Sequence, residues 1–364
     1  MKCGILTFHR AINYGGVLQV YALQKTLEML GIEAEIIDYY CPSIESLYRP
    51  HNYLSRKVLK YIIAALLYNG TIIFNNKGFE SFRNQHLNLS KIAYKNEAQL
   101  KAHTSEYDFF ITGSDQVWSP TCAGFDRIYF LNFVDDVRKK NSSAASFGTE
   151  KLPEQLKDCY KELLSKYNAV SVREDSGATI IKELLNENCP LHIDPTLLVT
   201  KEQWKKLAVE SHRKQNTPYY LIYSIGESKD LIDKAITDGR KDGKKVIYIT
   251  DRIYNISGVM NLRKVNPDEW VYLIQNADRV YTNSFHGMAF CINFGQSFFV
   301  QYLLSNRKAN TRIECLLQQF DLRKDIDNTN MSGYLHVDEE LRDGVLMLER
   351  ERAFVYLRRI SKQD

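Results

Sequence analysis

The chain has 364 residues, of which 44% are hydrophobic and 25% charged, and its formal net charge is +4. That length suits two domains of ordinary size, and so mild a charge, without a clustered basic face, argues against a nucleic-acid-binding protein. The seven cysteines are dispersed without a Cys-x-x-Cys pair, which argues against a disulfide framework or a zinc site and indicates reduced thiols in the cytoplasm.

The first elements predict a Rossmann-like domain. A strand at residues 2–8 leads through Gly15-Gly16 into a helix at 17–30 and a second strand at 33–38. The first segment becomes polar too early to be a signal peptide. This order is typical of a doubly wound sheet. An aromatic and basic segment at about 41–104 breaks the alternation and is interpreted as a helical insertion. Strands at 107–112, 128–133 and 143–147 and a helix at 153–167 follow.

A second block of alternating elements predicts a second domain. We expect strands at 169–172, 219–225, 245–250, 279–281 and 296–302, and helices at 174–185, 229–240, 267–276 and 311–320. A long, charged amphipathic helix at 337–360 ends the chain. The fold class is therefore α/β, with two Rossmann-like domains facing a cleft. We expect domains at residues 1–168 and 169–335 and a C-terminal helix within 336–364.

The glycine pair Gly15-Gly16 opens a helix directly after a strand. Glycines at such a place let backbone amides approach a phosphate or carboxylate, although neither the dinucleotide fingerprint nor the Walker spacing is present. A tight turn with unusual dihedral angles explains the pair equally well. The neighbouring polar side chains of Asn13, Tyr14 and Gln19 favour binding of substrate hydroxyls.

A polar cluster at residues 112–118 follows the apolar strand at 107–112, at a strand's carboxyl end, where ligands bind in this architecture. Asp115 is a candidate general base for a sugar hydroxyl, with Ser114 and Gln116 as hydrogen-bonding neighbours and Trp118 as a stacking platform for a sugar. The alternative, with even odds, is an Asx-type turn with Trp118 in the core.

Two further strand ends carry candidate active-site residues. Arg173 follows the strand at 169–172 and offers a bidentate fork for a carboxylate or phosphate, or else an inter-domain salt bridge. His286 lies where the strand at 279–281 passes through Asn283 and Ser284 into an apolar helix, and it is the first candidate for an acid or base. Asp194, before a proline, is interpreted as structural.

The insertion carries basic residues before an uncharged apolar stretch at 61–76, which is too short to span a bilayer. Such a segment can seat a protein on an anionic membrane, so peripheral membrane contact through residues 49–74 is one hypothesis. A buried helix covering the first domain is the other, and it is favoured because most apolar helical stripes belong to a core.

Taken in order, these motifs resemble the polysaccharide pyruvyltransferase family. The resemblance is carried by residues 13–19, 113–118, 170–174, 194–196 and 284–287, and it extends from about residue 1 to residue 320. It implies a glycosyltransferase-B-like fold and transfer of a pyruvyl group from phosphoenolpyruvate to two hydroxyls of a sugar, forming a ketal. The acceptors implied are bacterial capsule, exopolysaccharide or wall-polymer precursors, often lipid-linked. Many members carry an arginine where Ser284 stands here, so Arg173, Arg312 or Arg307 must replace it, or the donor differs.

The chemistry implied assigns roles to three residues. His286 would protonate the donor and assist phosphate departure, Asp115 would take the acceptor proton, and Arg173 would hold the donor's acid groups. The reaction needs neither a metal nor a nicotinamide cofactor. Two alternatives remain open: a nucleotide-sugar glycosyltransferase of the same fold, which would bind a diphosphate before residue 285, and a non-catalytic partner in capsule assembly.

Overall fold

The structure is a computed structural model that describes residues 1–46, 77–122, 124–208, 213–226, 228–250, 256–303 and 310–362. Most of the predicted insertion, including the apolar stretch at 61–76 and the basic residues before it, lies outside the described residues, as does Arg307. The described residues form two β-sheets with helices on their faces, which confirms the α/β fold class with two Rossmann-like domains.

The first sheet is entirely parallel, with the strand order β2-β1-β3-β4. Its strands are β1 (Lys2–Leu6), β2 (Glu33–Ile36), β3 (Phe109–Thr112) and β4 (Lys140–Ser142). Parallel bridges join Asn141 to Ala169, Ala145 to Val172 and Val172 to Leu191, so the sheet continues beyond β4. Residues 169–191, assigned from the sequence to the second domain, therefore belong with the first sheet.

The second sheet has the order β10-β9-β8-β5-β6-β7, and only β10 runs antiparallel to its neighbour. Its strands are β5 (Tyr219–Tyr223), β6 (Lys245–Ile249), β7 (Val259–Leu262), β8 (Arg279–Thr282), β9 (Phe298–Gln301) and β10 (Ser332–Leu335). β5 is buried along its whole length, as expected of a central parallel strand covered on both faces. β7 and β10 were not predicted, because both are short edge strands with partly exposed side chains.

The helices largely follow the predicted pattern. Their bounds are α1 (Tyr14–Met29), α2 (Pro42–Ser46), α3 (77–86), α4 (Glu97–Lys101), α5 (Lys157–Leu164), α6 (Asp175–Leu185), α7 (Pro195–Leu198), α8 (Lys201–Leu207), α9 (Lys229–Asp242), α10 (Pro267–Gln275), α11 (Phe285–Phe294), α12 (Thr311–Gln319) and α13 (Glu339–Lys362). No helix in the described ranges combines the length and apolarity needed to cross a bilayer.

Two predicted strands differ from the structure. Residues 127–130 form a 3-10 turn instead of a strand, because the Asp126 carboxylate accepts a hydrogen bond from the Ile128 amide and Leu131 ends the turn in a left-handed conformation. The strand expected at 143–147 lies three residues earlier, as β4, and only Ala145 of the predicted range makes strand-like bridges.

One hydrophobic core runs through both domains. It joins side chains of α1 and the first sheet to those of α10, α11 and the second sheet. At this junction Tyr14 stacks on Trp270 with ring centroids 5.3 Å apart, and its hydroxyl donates a 2.9 Å hydrogen bond to the Val265 carbonyl. The C-terminal helix α13 also returns to the first domain, where the Tyr356 hydroxyl donates to the Ser142 carbonyl at 2.7 Å.

Candidate active site

The three predicted catalytic residues meet at one place between the two sheets. Asp115 follows β3, Arg173 follows the added strand segment at 169–172, and His286 lies in the first turn of α11, after β8. Arg173 Nη2 lies 3.6 Å from Asp115 Oδ1. All three positions are carboxyl ends of parallel segments, and the facing edges of the two sheets bring them together.

Asp194 lies at the centre of this cluster. Its Oδ2 is 2.5 Å from Arg173 Nη1, 3.3 Å from the Ser114 hydroxyl and 3.6 Å from His286 Nε2. Its Oδ1 accepts hydrogen bonds from the amide and the hydroxyl of Thr196, which starts the short helix α7. The sequence interpretation treated Asp194 as structural. Its position at a strand end, before a proline, was the signal that could have placed it in the site.

Charge surrounds Arg173 on three sides. Although burial disfavours a charged guanidinium, Asp194, Asp115 and Glu174 raise the pKa of Arg173 above its usual value. For Asp194, burial favours the neutral acid, but His286, Arg173 and the Thr196 amide outweigh it and hold its pKa well below the usual range. Asp194 is therefore ionised, and the pair with Arg173 is a buried salt bridge.

Several N–H donors of this cluster remain unused. Within the described part of the chain, Nε and Nη2 of Arg173 make no hydrogen bond, and neither does Nε of Arg312. The two guanidinium groups lie 4.7 Å and 5.9 Å from the Phe285 ring. Burial and the neighbouring Arg173 lower the pKa of Arg312, although a guanidinium stays charged at neutral pH. Two cations with spare donors suit an anionic ligand.

His286 is held by its backbone and by a glycine. The Ser284 hydroxyl caps α11 by accepting a hydrogen bond from the Gly287 amide at 3.3 Å. This cap places His286 in the first turn of the helix. A Cβ atom on Gly15 would lie only 1.9 Å from His286 Nδ1, and the ring therefore packs directly on the α1 backbone. His286 Nε2 makes no hydrogen bond to the residues that the structure describes.

Glycines 15 and 16 open α1, as the sequence predicts, and the alternative of a tight turn with unusual dihedral angles is wrong. Both lie in the first turn of α1 with φ outside the left-handed region, so they form neither a strained turn nor a loop before the helix. Gly15 makes room for the His286 ring, and a Cβ on Gly16 would lie 3.7 Å from Asp115 Oδ2. Only Gly15 is required by the packing, because the contacts of a Cβ on Gly16 would be ordinary.

Several predicted substrate-binding residues instead make hydrogen bonds within the protein that stabilise the fold. Asn13 caps α1 by accepting from the Gly16 amide at 3.2 Å. Gln19 is fully buried and donates to the Thr7 hydroxyl and the Gly16 carbonyl. Tyr14 joins the domains as described above, and Asn283 accepts a 2.6 Å hydrogen bond from the Ile225 amide. Direct contact with substrate is therefore not the structural task of Gln19 or Asn283.

The prediction for Trp118 as a sugar-stacking platform is wrong. The side chain is fully buried and packs on Phe130, with ring centroids 5.9 Å apart, and on Phe147 at 5.3 Å. Ser114 is also buried, and its hydroxyl donates to the Ala144 carbonyl at 2.8 Å. Gln116 is partly exposed, and its backbone amide donates to Asp115 Oδ1 at 2.9 Å, which fixes the carboxylate of the candidate base.

The cluster is almost closed to solvent. The exposed fractions of the side chains are 14% for Asp115, 8% for His286, 2% for Arg173 and 0% for Asp194. In the described ranges no three His, Cys, Asp or Glu side chains are grouped as metal ligands would be.

A cavity of about 720 Å³ lies next to the cluster and receives residues from both domains. Cys315 in its wall lies 3.9 Å from the Arg173 carbonyl, and Thr311 precedes Arg312. The hydroxyls of Ser176, from the first domain, and Tyr302, from the second, make no hydrogen bond of ordinary geometry to described residues. Other polar groups in its wall are those of Glu150, Asp175, Asn310, Thr311, Glu314, Gln318, Asn328 and Thr329.

Comparisons with known proteins show which family the chain matches. A model of the polysaccharide pyruvyl transferase family matches residues 13–300. Among solved structures, the chain resembles the glycosyltransferase SsfS6 of Streptomyces sp. SF2575, with 11% identity, 97% of this chain and 96% of that chain covered, and a TM-score of 0.40. It also resembles Arabidopsis thaliana UGT89C1 in complex with UDP-L-rhamnose, with 9% identity, coverage of 97% and 89%, and a TM-score of 0.48.

A third similar structure is the UDP-GlcNAc 2-epimerase of Neisseria meningitidis, with 11% identity, 81% of each chain covered and a TM-score of 0.43. No curated protein sequence matches the chain.

Proposed function

Because the chain belongs to the polysaccharide pyruvyl transferase family, we propose that it transfers a pyruvyl group from phosphoenolpyruvate to a saccharide, forming a ketal on two hydroxyls. The acceptor is a precursor of a bacterial capsular, exopolysaccharide or cell-wall polymer, modified in the cytoplasm. The observation that carries the proposal is the meeting of an imidazole, a carboxylate and two guanidinium groups at the edge between the two sheets.

The donor is a small metabolite with two acidic groups, a carboxylate and a phosphate. Nε and Nη2 of Arg173 and Nε of Arg312 make no hydrogen bond within the described part of the chain, and buried guanidinium N–H groups of this kind can donate to such a ligand. In this chain the two arginines take the place of the arginine that many family members carry at the position of Ser284. Ser284 is used instead to cap α11.

The residues support a balanced reaction. His286 gives a proton to the methylene carbon of the donor while the first sugar hydroxyl adds to the central carbon and passes its proton to Asp115. The second hydroxyl then displaces phosphate from the same carbon and gives its proton to His286, which the first step left neutral. His286 passes this proton to the departing phosphate, and exchange with the solvent returns His286 and Asp115 to their starting states. The products are the ketal and inorganic phosphate. Asp194 acts as a positioning residue, because it contacts both Arg173 and His286.

The acceptor binds in the neighbouring cavity. The hydroxyls of Ser176 and Tyr302 lie in its wall on opposite domains, and such groups suit a ligand that carries many hydroxyl groups. The cavity also brings the acceptor to the side of the cluster where Cys315 contacts the Arg173 backbone. A lipid-linked acceptor would fit the hypothesis of peripheral membrane contact through residues 49–74, and flotation with anionic liposomes tests that hypothesis.

The His286→Ala variant tests the proposed acid. General acid–base assistance contributes about 10²–10⁴-fold in rate, so phosphate release from phosphoenolpyruvate in the presence of a saccharide acceptor should fall by that factor. The control is His336→Ala, since His336 is exposed and lies beyond β10, outside the cluster. Activity of His286→Ala near that of the control would refute the role of His286.

The donor can be identified without the acceptor. A ligand at 100 times its dissociation constant stabilises a protein by about 2.7 kcal/mol, which a thermal shift measures readily. We expect stabilisation by phosphoenolpyruvate and its loss in an Arg173→Met, Arg312→Met double variant. Stabilisation by a nucleotide sugar alone would instead favour a glycosyltransferase. If replacing His286, Asp115 and Arg173 left polymer modification in cells unchanged, the protein would be a non-catalytic assembly partner.

A further inference from the structure

The C-terminal helix α13 presents an apolar stripe that no described residue covers. Leu341, Leu348 and Val355 recur every seventh residue and are 40%, 52% and 54% exposed. The opposite face of the helix is buried, with Leu346, Leu357 and other side chains in the core. A spacing of seven residues keeps side chains on one face of a helix, so the three form a seam of the kind found between paired helices.

The shape of the stripe allows a second helix to approach closely. Gly344 lies between Leu341 and Leu348, and a Cβ built on it would meet no atom within 4 Å. A groove of about 720 Å³ adjoins the seam and is formed by Leu348 and Val355 on one side and Pro190 and Leu191 on the other. A small residue within the seam and an apolar groove beside it both favour helix packing.

Both ends of α13 carry charged side chains, with three acids near the start and three bases near the end. Glu339, Glu340 and Asp343 lie near the start of the helix, whereas Arg358, Arg359 and Lys362 lie near its end. Glu340 and Arg358 are eighteen positions apart, which is five helical turns, so they lie on the same side of the seam. Neither makes an ion pair or a side-chain hydrogen bond within the described part of the chain.

We propose that α13 pairs with α13 of a second copy of this chain, antiparallel and around a twofold axis at Leu348. In this register Leu341 of each copy lies opposite Val355 of the other, and Leu348 meets Leu348. Glu340 of each copy then lies near Arg358 of the other. The twofold axis makes every contact occur twice, which is the usual form of a symmetric homodimer interface.

The charges decide against the other arrangement of the same two helices. A parallel pair would place the flank that carries Glu340 and Arg358 on opposite sides of the interface in the two copies, so neither residue would meet the opposite charge. The inference is independent of the proposed reaction, since it uses only the outer face of α13.

The test measures the mass of the full chain by light scattering or sedimentation over the micromolar range. We expect twice the 42.3 kDa of one chain. Leu348→Glu and each of the single charge reversals Glu340→Arg and Arg358→Glu should weaken the dimer at least tenfold, because each change acts twice across the axis. The double variant Glu340→Arg, Arg358→Glu should restore it, which a merely destabilised fold would not do.

Three results would overturn the inference. The first is a wild-type monomer throughout the range, which would mean that the seam is covered within one chain or by another molecule. The second is a dimer that is indifferent to all three single substitutions. The third is failure of the double charge reversal to restore dimerisation while its circular dichroism matches that of the wild type.

Discussion

Gly15→Ala is expected to disable the site through a single methyl group. The new Cβ would lie 1.9 Å from His286 Nδ1, whereas non-bonded carbon and nitrogen atoms approach to about 3.5 Å. The imidazole would therefore have to move by more than about 1 Å, and a displacement of that size can lower a rate about 10²-fold. The helix itself should not suffer, because alanine is about 1 kcal/mol better than glycine in a helix interior.

The neighbouring glycine provides a matched control. A Cβ on Gly16 would lie 3.5 Å from the Phe8 carbonyl and 3.7 Å from Asp115, both ordinary contacts. We expect Gly16→Ala to keep its rate within a few fold and Gly15→Ala to lose about 10²-fold, both measured as phosphate release from phosphoenolpyruvate. Urea unfolding should show that Gly16→Ala is not destabilised.

A double-mutant cycle separates the steric effect from others. In a His286→Ala background the ring is absent, so adding Gly15→Ala should cause no further loss of rate and should raise stability. Equal activity of the two single glycine variants would refute the packing of His286 on α1. A further loss of rate in the double variant would show that Gly15 acts through something other than this ring.

Three further predictions concern stability and specificity. Asp194→Leu should lower the free energy of unfolding in urea by about 3 kcal/mol, because it removes the carboxylate closest to the buried Arg173 charge. Adding Arg173→Met should recover part of that loss. The pKa of Asp194 is depressed in the folded state, so its contribution to the free energy of unfolding is present above about pH 4 and lost in acid. The free energy of unfolding of the double variant should therefore fall less steeply with decreasing pH than that of the wild type. Burial, together with Arg359 and Arg352, lowers the pKa of His192 to about 4. The free energy of unfolding of the wild type should therefore fall by roughly 3 kcal/mol as the pH falls from about 6.5 to 4, whereas that of His192→Phe should stay flat over this range. Trp118→Phe should cost about 2 kcal/mol of stability and leave the KM for the saccharide unchanged, whereas a raised KM would return Trp118 to the acceptor site.

The position of the site was predictable because it depends on local chemistry. Polar residues directly after an apolar strand lie at its carboxyl end, and in a doubly wound fold those ends meet. The same reasoning brings Asp115, Arg173 and His286 together, and the structure has them in one cluster, while their catalytic roles remain a prediction. The added segment at 169–172 pairs beside β4, and strand pairing between distant segments leaves no mark in the sequence of either partner.

The orientation of side chains was not predictable for the same reason. Trp118 and Ser114 follow the same strand as Asp115, yet packing against Phe130 and Phe147 turns the tryptophan into the core. The position of Asp194 is explained only by the fold, which brings Arg173 and His286, both distant in the sequence, to the same carboxylate oxygen, Oδ2. Gly15 was noticed, but its reason lies in a ring contributed by the other domain.

The apolar core that continues from one domain into the other limits the relative motion of the two domains. Separation of the two domains would expose the Tyr14–Trp270 stack to solvent and break the contact of α13 with the first sheet. Rigid-body opening would therefore cost free energy. Access of a ligand to the enclosed cluster would then depend on local rearrangements around it, and heating should unfold both domains in a single calorimetric transition.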